Sequence, residues 1–178
     1  MFNRNFSTFT RNQLIALASS TLFAVSASAY AAEPAPADTA AAQTAASPAD
    51  AAFLAKAVPA GHEEVMAART ALKMSKSTGV KQAAQMMYQD HHAANQKLAA
   101  LAKQKGWALP PRDASAATPA SYSDDEYVAV QVKAHQEAIV LFKDEASKGS
   151  DPDLRAFAQS TLPTLQHHLK TLQALQSS

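Results

Sequence analysis

The segment from residue 80 to residue 106, VKQAAQMMYQDHHAANQKLAALAKQKG, decides the fold class. Its core-type residues recur alternately four and three positions apart: Val80, Ala84, Met87, His91, Ala94, Leu98 and Leu101. One of these positions is thus occupied by a histidine. This spacing is typical of a helix that turns one face towards a protein core. Gly106 follows directly, and glycine commonly ends helices. The segment therefore predicts an amphipathic helix from Val80 to Lys105.

Three other segments show the same kind of spacing and complete a helical pattern. We predict helices over residues 51–78, 123–148 and 151–175. Pro59 to Gly61 predicts a break or sharp bend in the first of them, and Gly79 predicts its end. Glycine is scarce, with four in the chain, and runs of β-branched residues are lacking. This composition favours an all-α fold.

The lengths of the segments and of their connections indicate how the helices pack. We predict an antiparallel four-helix bundle of ferritin-like type, with a long connection between the second and third helices. This connection, residues 107–122, spans roughly 50 Å when extended, whereas each long helix measures roughly 39 Å. It can therefore cross the whole bundle or stay at one end, and the sequence leaves both arrangements open.

The first 31 residues have the features of a signal peptide. Arg4 and Arg11 precede a short apolar run from Leu14 to Val25, and Ala29-Tyr30-Ala31 fits the small-x-small pattern of a cleavage site. The apolar run is short for a membrane span, and an uncleaved N-terminal anchor is the alternative interpretation. We therefore expect a periplasmic or otherwise exported protein, cleaved near Ala31, with no transmembrane segment after the leader is removed.

The rest of the chain divides into a linker and a domain. Residues 32–50 are rich in alanine, proline and threonine, and they predict a flexible linker because they cannot bury enough apolar surface to offset their ordering entropy. Residues 51–178 are then the four-helix bundle domain. Without the two leader arginines, 14 basic residues face 15 acidic ones, so the net charge of −1 gives no support for a nucleic-acid partner. The chain has no cysteine, so core packing must stabilise it.

A polar residue interrupts each core-facing stripe near its middle. His91, His135 and His168 do so in the second, third and fourth helices, and Glu64 does so in the first. Counted from the turns, the two polar residues of each hairpin differ in depth by three residues, or roughly 4.5 Å along a helix. We therefore expect one polar layer in the bundle. Three imidazoles and one carboxylate suit a transition-metal ion such as Zn, Cu or Fe, and partly buried core histidines are the alternative.

Other functional classes find less support in the sequence. A di-iron redox enzyme needs Glu-x-x-His pairs, but the residues three positions before the histidines are Tyr88, Val132 and Leu165. No nucleophile–base pair or phosphate-binding loop is evident. The sequence thus favours a non-enzymatic envelope or stress-related protein, whose partner is an unknown envelope protein or a metal ion. Asp90 lies off the histidine stripe, and we expect it outside the set of metal ligands. The methionines of the helices are expected to fill the core or, alternatively, to add ligands for Cu(I).

Several stretches of the chain carry a family resemblance: FLAKAV (53–58), YQDHHAANQKLAALAKQKGWALP (88–110) and VKAHQEAIVLFKDEASKGSDPDLRAFAQSTLPTLQHHLK (132–170). Through them the chain resembles an exported bacterial family, the domain of unknown function 4142 family, whose members are expected to form a ferritin-like bundle. The resemblance implies no established activity, and it draws attention to Glu64, Asp90, His91, His135, Pro163 and His168. Family members often carry an acid where this chain has Ala134, and another shortly after Glu64. A carboxylate-rich site is less expected here for that reason.

Overall fold

A computed structural model of the chain describes residues 45–111 and 121–177. Within these residues the backbone forms four α-helices and no strand, which confirms the all-α fold: α1 (Pro48–Met74), α2 (Thr78–Gln104), α3 (Asp124–Lys148) and α4 (Pro152–Gln176). No helix in this part of the chain is long and apolar enough to cross a membrane. The predicted signal peptide, residues 1–31, and most of the predicted linker, residues 32–50, lie outside the described residues.

Contacts at the two ends of the bundle give the direction of α2 and α4. At one end, Gly79 in the first turn of α2 lies against Leu175 in the last turn of α4, since a Cβ atom on Gly79 would stand 2.9 Å from Leu175 Cδ2. At the other end, Lys105 just after α2 donates from Nζ to Asp151 Oδ2 at 2.6 Å, immediately before α4. Helices α2 and α4 are therefore antiparallel neighbours, and α1 packs on α2 and α3.

The connection between α2 and α3 crosses the length of the bundle. α2 ends beside the start of α4, whereas Tyr127 at the start of α3 belongs to the same apolar cluster as Ala71 and Val80, which lie beside the α1–α2 turn. Residues 112–120 of the connection lie outside the described residues, but its two ends require the crossing. The resulting order of helices is that of a ferritin-like bundle, and it decides between the two arrangements that the sequence leaves open.

Helix α1 starts earlier than predicted and runs without a break. Ser47 caps it by accepting a hydrogen bond on Oγ from the Asp50 N–H at 3.2 Å, and Pro48 takes the first helical position. This corrects the boundary of the predicted linker, because a serine followed by proline is itself a helix start. The break predicted at Pro59 to Gly61 is wrong, since α1 continues through these residues, and a sharp bend there stays a prediction. There Asn95 Nδ2 of α2 donates to the Gly61 carbonyl at 2.8 Å, and this close approach explains the glycine.

Serine residues, and not Gly79, separate α1 from α2. Ser75 is the C-cap of α1, and its Oγ accepts a hydrogen bond from the Ser77 N–H at 3.0 Å. Ser77 in turn caps α2, because its Oγ accepts from the Val80 N–H at 3.3 Å. The predicted end of the first helix at Gly79 is therefore wrong. Gly79 lies inside the first turn of α2, where the missing side chain leaves room for Leu175.

The remaining helix ends lie where the sequence predicts them. Gly106 follows α2 with a φ of 69°, in the left-handed region that glycine adopts most readily. Ser123 caps α3 by accepting from the Glu126 N–H at 3.5 Å, and Asp151 caps α4 by accepting from the Leu154 N–H at 3.0 Å. These ends fix the helices that carry the histidines.

Two apolar clusters form the core, and the histidine layer separates them. The first contains Phe53, Leu54, Ala57, Val58, Leu98, Ile139, Phe142, Leu154, Ala158 and Leu165. The second contains Ala68, Ala71, Val80, Ala83, Ala84, Met87, Tyr127, Val128, Val132 and Leu172. Along α2, α3 and α4, the histidine comes between members of one cluster and members of the other. The predicted stripe of α2 faces the core, since Val80, Ala84, Met87, His91 and Leu98 are buried.

Candidate metal centre

Three of the four predicted ligands meet in the middle of the bundle. His91, His135 and His168 are 9%, 1% and 0% exposed, and one ring nitrogen of each lies within 4.8 Å of those of the other two. Each histidine occupies a core-facing position of a different helix, so the packing of α2, α3 and α4 brings the rings together. The ring centroids are 5.2 to 5.4 Å apart.

The spacing of the ring nitrogens suits a single metal ion. His135 Nε2 lies 3.4 Å from His91 Nε2 and 3.3 Å from His168 Nδ1. Metal–imidazole bonds of about 2.0–2.1 Å would separate two ligand nitrogens by about 3.3–3.6 Å in tetrahedral or trigonal geometry. The two distances lie in or at the edge of this range, so His135 could share an ion with each neighbour with little movement, and the third pair, within 4.8 Å, would close by at most about 1.5 Å.

Hydrogen bonds on the outer sides of two rings determine which nitrogens face inward without a proton. His135 Nδ1 lies 2.9 Å from the Gln131 carbonyl oxygen, which only accepts, so Nδ1 carries the hydrogen. His168 Nε2 lies 2.9 Å from Asp90 Oδ2 and carries the hydrogen for the same reason. In the neutral rings, His135 Nε2 and His168 Nδ1 therefore present lone pairs to each other at 3.3 Å.

Burial keeps the three rings neutral. Loss of solvation lowers the pKa of His91 to about 3, and the neighbouring rings of His135 and His168 lower it further. Loss of solvation also lowers the pKa of His135 to about 4, against the hydrogen bond to the Gln131 carbonyl. The pKa of His168 is lowered by burial as well, although Asp90 opposes the change. The neutral imidazole is the form that binds metal ions, so the three rings are ready ligands at physiological pH.

Glu64, the fourth predicted ligand, is paired with a glutamine instead of standing among the three histidines. With its amide nitrogen turned towards Glu64, the orientation that satisfies both groups, Gln131 donates to both carboxyl oxygens, and it precedes His135 by one helical turn. Burial raises the pKa of Glu64 to about 8, with a further contribution from Glu63, while the Gln131 hydrogen bond acts in the opposite direction. The structure therefore places Glu64 beside Gln131, one helical turn away from His135. Ligation of a metal ion by Glu64 stays a prediction.

The histidines adjacent to His91 and His168 in the sequence point away from the core, as the step of about 100° between successive helical residues requires. His92 and His167 are exposed, and the His92 ring pairs with Gln96 at 3.2 Å.

Two residues that contact the three histidines, Gln131 and Asp90, are absent from the ligand set predicted from the sequence. Gln131 could have been found from its place one turn before His135 on the same face. The contact of Asp90 with His168 depends on how α2 meets α4 and has no local signal.

Solved structures of other proteins show bundles similar to this one. The DUF305 fragment from Deinococcus radiodurans is 13% identical with a TM-score of 0.63, covering 74% of this chain and 97% of that chain. The conserved hypothetical protein rv2844 from Mycobacterium tuberculosis is 16% identical with a TM-score of 0.63, covering 73% and 92%. The structure described as "CopM in the Cu(I)-bound form" is 16% identical with a TM-score of 0.62, covering 71% and 94%. These identities are low, and the likeness establishes the fold alone.

Sequence comparison places the chain in a family. Comparison with curated proteins gave no match. The family model described as "Domain of unknown function (DUF4142)" matches residues 35–175, which include the three histidines, Glu64 and nearly all of the four helices. This match confirms the resemblance seen in the sequence. The chain therefore belongs to the DUF4142 family, a domain of unknown function.

Proposed function

We propose that this protein binds one transition-metal ion in the core of its bundle, with His91, His135 and His168 as ligands. The proposal is carried by the two lone pairs that face each other at 3.3 Å, on His135 Nε2 and His168 Nδ1. Lone pairs at this distance repel, and the nearby His91 Nε2 can donate one hydrogen to only one acceptor at full strength. A cation that accepts electron density from both nitrogens removes the conflict.

The surroundings of the rings support this role. Metal-binding histidines usually donate their other N–H to a carboxylate or a backbone carbonyl, which orients the ring and strengthens it as a ligand. His168 donates to Asp90 and His135 donates to the Gln131 carbonyl, both at 2.9 Å. Two of the three candidate ligands therefore have the supporting contact expected of a metal site.

A structural neighbour adds support from outside the chain. Bundles similar to this one include two structures described as "CopM in the Cu(I)-bound form" and "CopM in the Ag-bound form (by soaking)", the second 17% identical with a TM-score of 0.61. A helical bundle of this shape is thus able to hold such ions in that protein. The residues that could do so here are the three histidines.

We propose binding, and not catalysis, as the role of the site. Among the described residues, the group of close metal-ligating side chains consists of three imidazoles and contains no carboxylate. A di-iron centre needs several carboxylates. The rings are also almost fully buried, which leaves a substrate no direct access to the ion.

We further propose that the protein acts outside the cytoplasm, where it meets an envelope partner or the metal ion. The basic start, the short apolar run and Ala29-Tyr30-Ala31 support export. Cell fractionation of a C-terminally tagged chain tests this, since the tagged protein should appear in the periplasm in a shortened form. Replacing Ala29 and Ala31 with bulky residues should leave the chain uncut. Full-length protein in the cytoplasm would contradict export.

Metal content and stability test the binding proposal. The purified protein is loaded separately with Zn(II), Cu(I) and Fe(II), desalted and measured by elemental analysis, and its thermal unfolding is followed. At least one of these ions should remain at one per chain and raise the free energy of unfolding by about 2.7 kcal/mol at a free concentration 100 times its Kd. His135→Ala should abolish both effects, because it removes the nitrogen common to the two short distances.

The matched control is His92→Ala, which removes an exposed histidine next to His91. This variant should bind and respond like the unaltered protein. Equal binding by His135→Ala and the unaltered protein would place the ion elsewhere. Retention of none of the three ions would leave the protein as a helical bundle without a metal function.

A further inference from the structure

The charge at the triad depends on the ion, because its three ligands are neutral. Among the contacts of the described residues, the carboxylate that touches the rings is that of Asp90, through Oδ2 at 2.9 Å from His168 Nε2. A monovalent ion together with Asp90 gives a net charge of zero. A divalent ion with the same residues leaves one uncompensated positive charge.

The uncompensated charge of a divalent ion costs much free energy at the triad because the three rings are buried. His135 and His168 are at most 1% exposed, and of the buried residues one turn away, Val132, Ile139, Leu165 and Leu172 are apolar, whereas Gln131 is polar but uncharged. The free energy needed to take an ion out of water grows with the square of its charge, and an unpaired charge in a protein interior is strongly unfavourable. The site therefore penalises a divalent ion more than a monovalent one.

The number and type of donors point in the same direction. Zn(II) prefers four ligands, the fourth often being water. Here three nitrogens converge between two apolar clusters, and nearly complete burial leaves little access for water. Met87, fully buried one turn before His91 on the same face of α2, adds a thioether in the neighbourhood, and thioethers are soft groups suited to Cu(I).

From this charge balance we infer that the triad selects a soft monovalent ion, Cu(I), over divalent ions, with Asp90 supplying the compensating charge. This inference rests on the proposed function, since it names the ion class of the same site. Asp90 acts as a positioning and charge-balancing residue through His168 and does not bind the ion itself. Its side chain is 44% exposed, so it also connects the buried ring with solvent.

Competition titrations with chelators of known affinity test the inference on the purified protein. Ag(I) serves as a monovalent probe that does not change oxidation state, Cu(I) is handled without oxygen, and Zn(II) is the divalent probe. The protein should bind Ag(I) and Cu(I) at one ion per chain and more tightly than Zn(II). Asp90→Asn keeps an acceptor for the His168 N–H and removes the charge, so it should weaken Ag(I) binding about 10- to 100-fold.

Two further variants separate the charge of Asp90 from a structural role. Asp90→Glu restores the charge and should recover much of the Ag(I) affinity that Asp90→Asn loses. Asp125→Asn removes an exposed acid at the start of α3 and should bind like the unaltered protein. If Asp90→Asn binds Ag(I) as tightly as Asp125→Asn does, Asp90 does not balance the charge and the inference fails.

The outcomes distinguish this inference from the function on which it rests. Zn(II) bound as tightly as Ag(I) and Cu(I), or more tightly, with loss of binding in His135→Ala, would overturn the preference for a monovalent ion and leave the metal site intact. Binding of no ion at the triad would overturn both.

Discussion

A buried pair of carboxyl groups outside the triad leads to the most detailed stability prediction. Asp50, in the first turn of α1, accepts hydrogen bonds from the Ser150 N–H at 2.8 Å and the Asp151 N–H at 3.2 Å. Glu145, in the last turn of α3, lies beside it, and both side chains are buried. One oxygen of Glu145 has no hydrogen-bond partner, so ionisation of Glu145 would leave a poorly compensated second charge next to Asp50.

The expected effect has a definite sign and size. Burial, followed by the charge of Asp50, raises the pKa of Glu145 from 4.5 to about 7; Asp144 adds to the rise and Arg155 opposes it. The unfolded chain thus releases this proton near pH 4.5, whereas the folded chain holds it until about pH 7. The contribution of protonated Glu145 to the free energy of unfolding is therefore fully present below pH 4.5 and is lost as the pH rises to about 7. The difference between the two pKa values corresponds to about 3 kcal/mol.

The substitution Glu145→Gln tests this reasoning. The amide has the shape of the protonated acid and cannot ionise, so the variant should escape the loss. Urea unfolding of both proteins between about pH 4 and pH 8.5 gives the free energy of unfolding at each pH. The difference, variant minus unaltered protein, should rise by about 3 kcal/mol between pH 4.5 and 7 and then stay level. The titration of the distant histidines and of Glu64 cancels in this difference.

An exposed acid on the same helix provides the control. Glu137 is exposed, and its distance of 3.9 Å from Lys133 is that of a weak surface pair. The difference curve of Glu137→Gln should be flat within about 0.5 kcal/mol over the same range. A flat curve for Glu145→Gln as well would show that Glu145 ionises in the folded protein without penalty, and it would refute the account of the buried pair.

The other predictions concern single packing or capping contacts. Leu154→Ala removes a fully buried side chain from the first cluster and should lower the free energy of unfolding by about 2–5 kcal/mol in urea. Ser77→Ala removes the cap of α2 and should lower it by about 1 kcal/mol, and Ser77→Thr should retain most of the value. Gly61→Ala places a Cβ atom against Asn95 Oδ1 and should lower the melting temperature, although alanine is the better helix former. An unchanged or higher melting temperature would show that the Asn95 side chain moves aside freely.

The parts of the fold that the sequence predicts correctly depend on local physics. The four-and-three spacing of α2, α3 and α4 places His91, His135 and His168 on buried faces, because the helical period alone decides which side chains share a face. Gly106 and Asp151 mark helix ends because the orphan backbone groups of a helix end are satisfied within a few residues. Counting from the turns gives the depth of the histidines because the rise of a helix is constant.

The errors arise where a distant contact overrides a local signal. Pro59 and Gly61 look like an interruption, but the hydrogen bond that Pro59 cannot make is a single one, and Gly61 is needed for the approach of Asn95 from α2. Gly79 looks like a helix stop, but it accommodates Leu175 from α4. Both glycines serve packing between helices, which a single sequence does not reveal.

The same distinction applies to the candidate site. The sequence identifies the three rings and their common layer, yet it places Glu64 among them, because it cannot show that Gln131 is available as a nearer partner. The direction of each lone pair depends on the acceptor behind each ring. For His135 that acceptor is the carbonyl four residues earlier in its own helix, whereas for His168 it is Asp90 of another helix.

A layer of three histidines is a poor way to stabilise this bundle. The two apolar clusters would join if leucines occupied the three positions, and each fully buried leucine would contribute about 1.5–3 kcal/mol. His135 and His168 instead give up their hydrogen bonds to water and recover short ones on their outer nitrogens, while the single hydrogen of His91 Nε2 can satisfy only one of the two inward nitrogens. The inward nitrogens of His135 and His168 gain no matching donors from each other. Folding alone therefore does not favour the layer, whereas the proposed ion, shared by these nitrogens, would account for it.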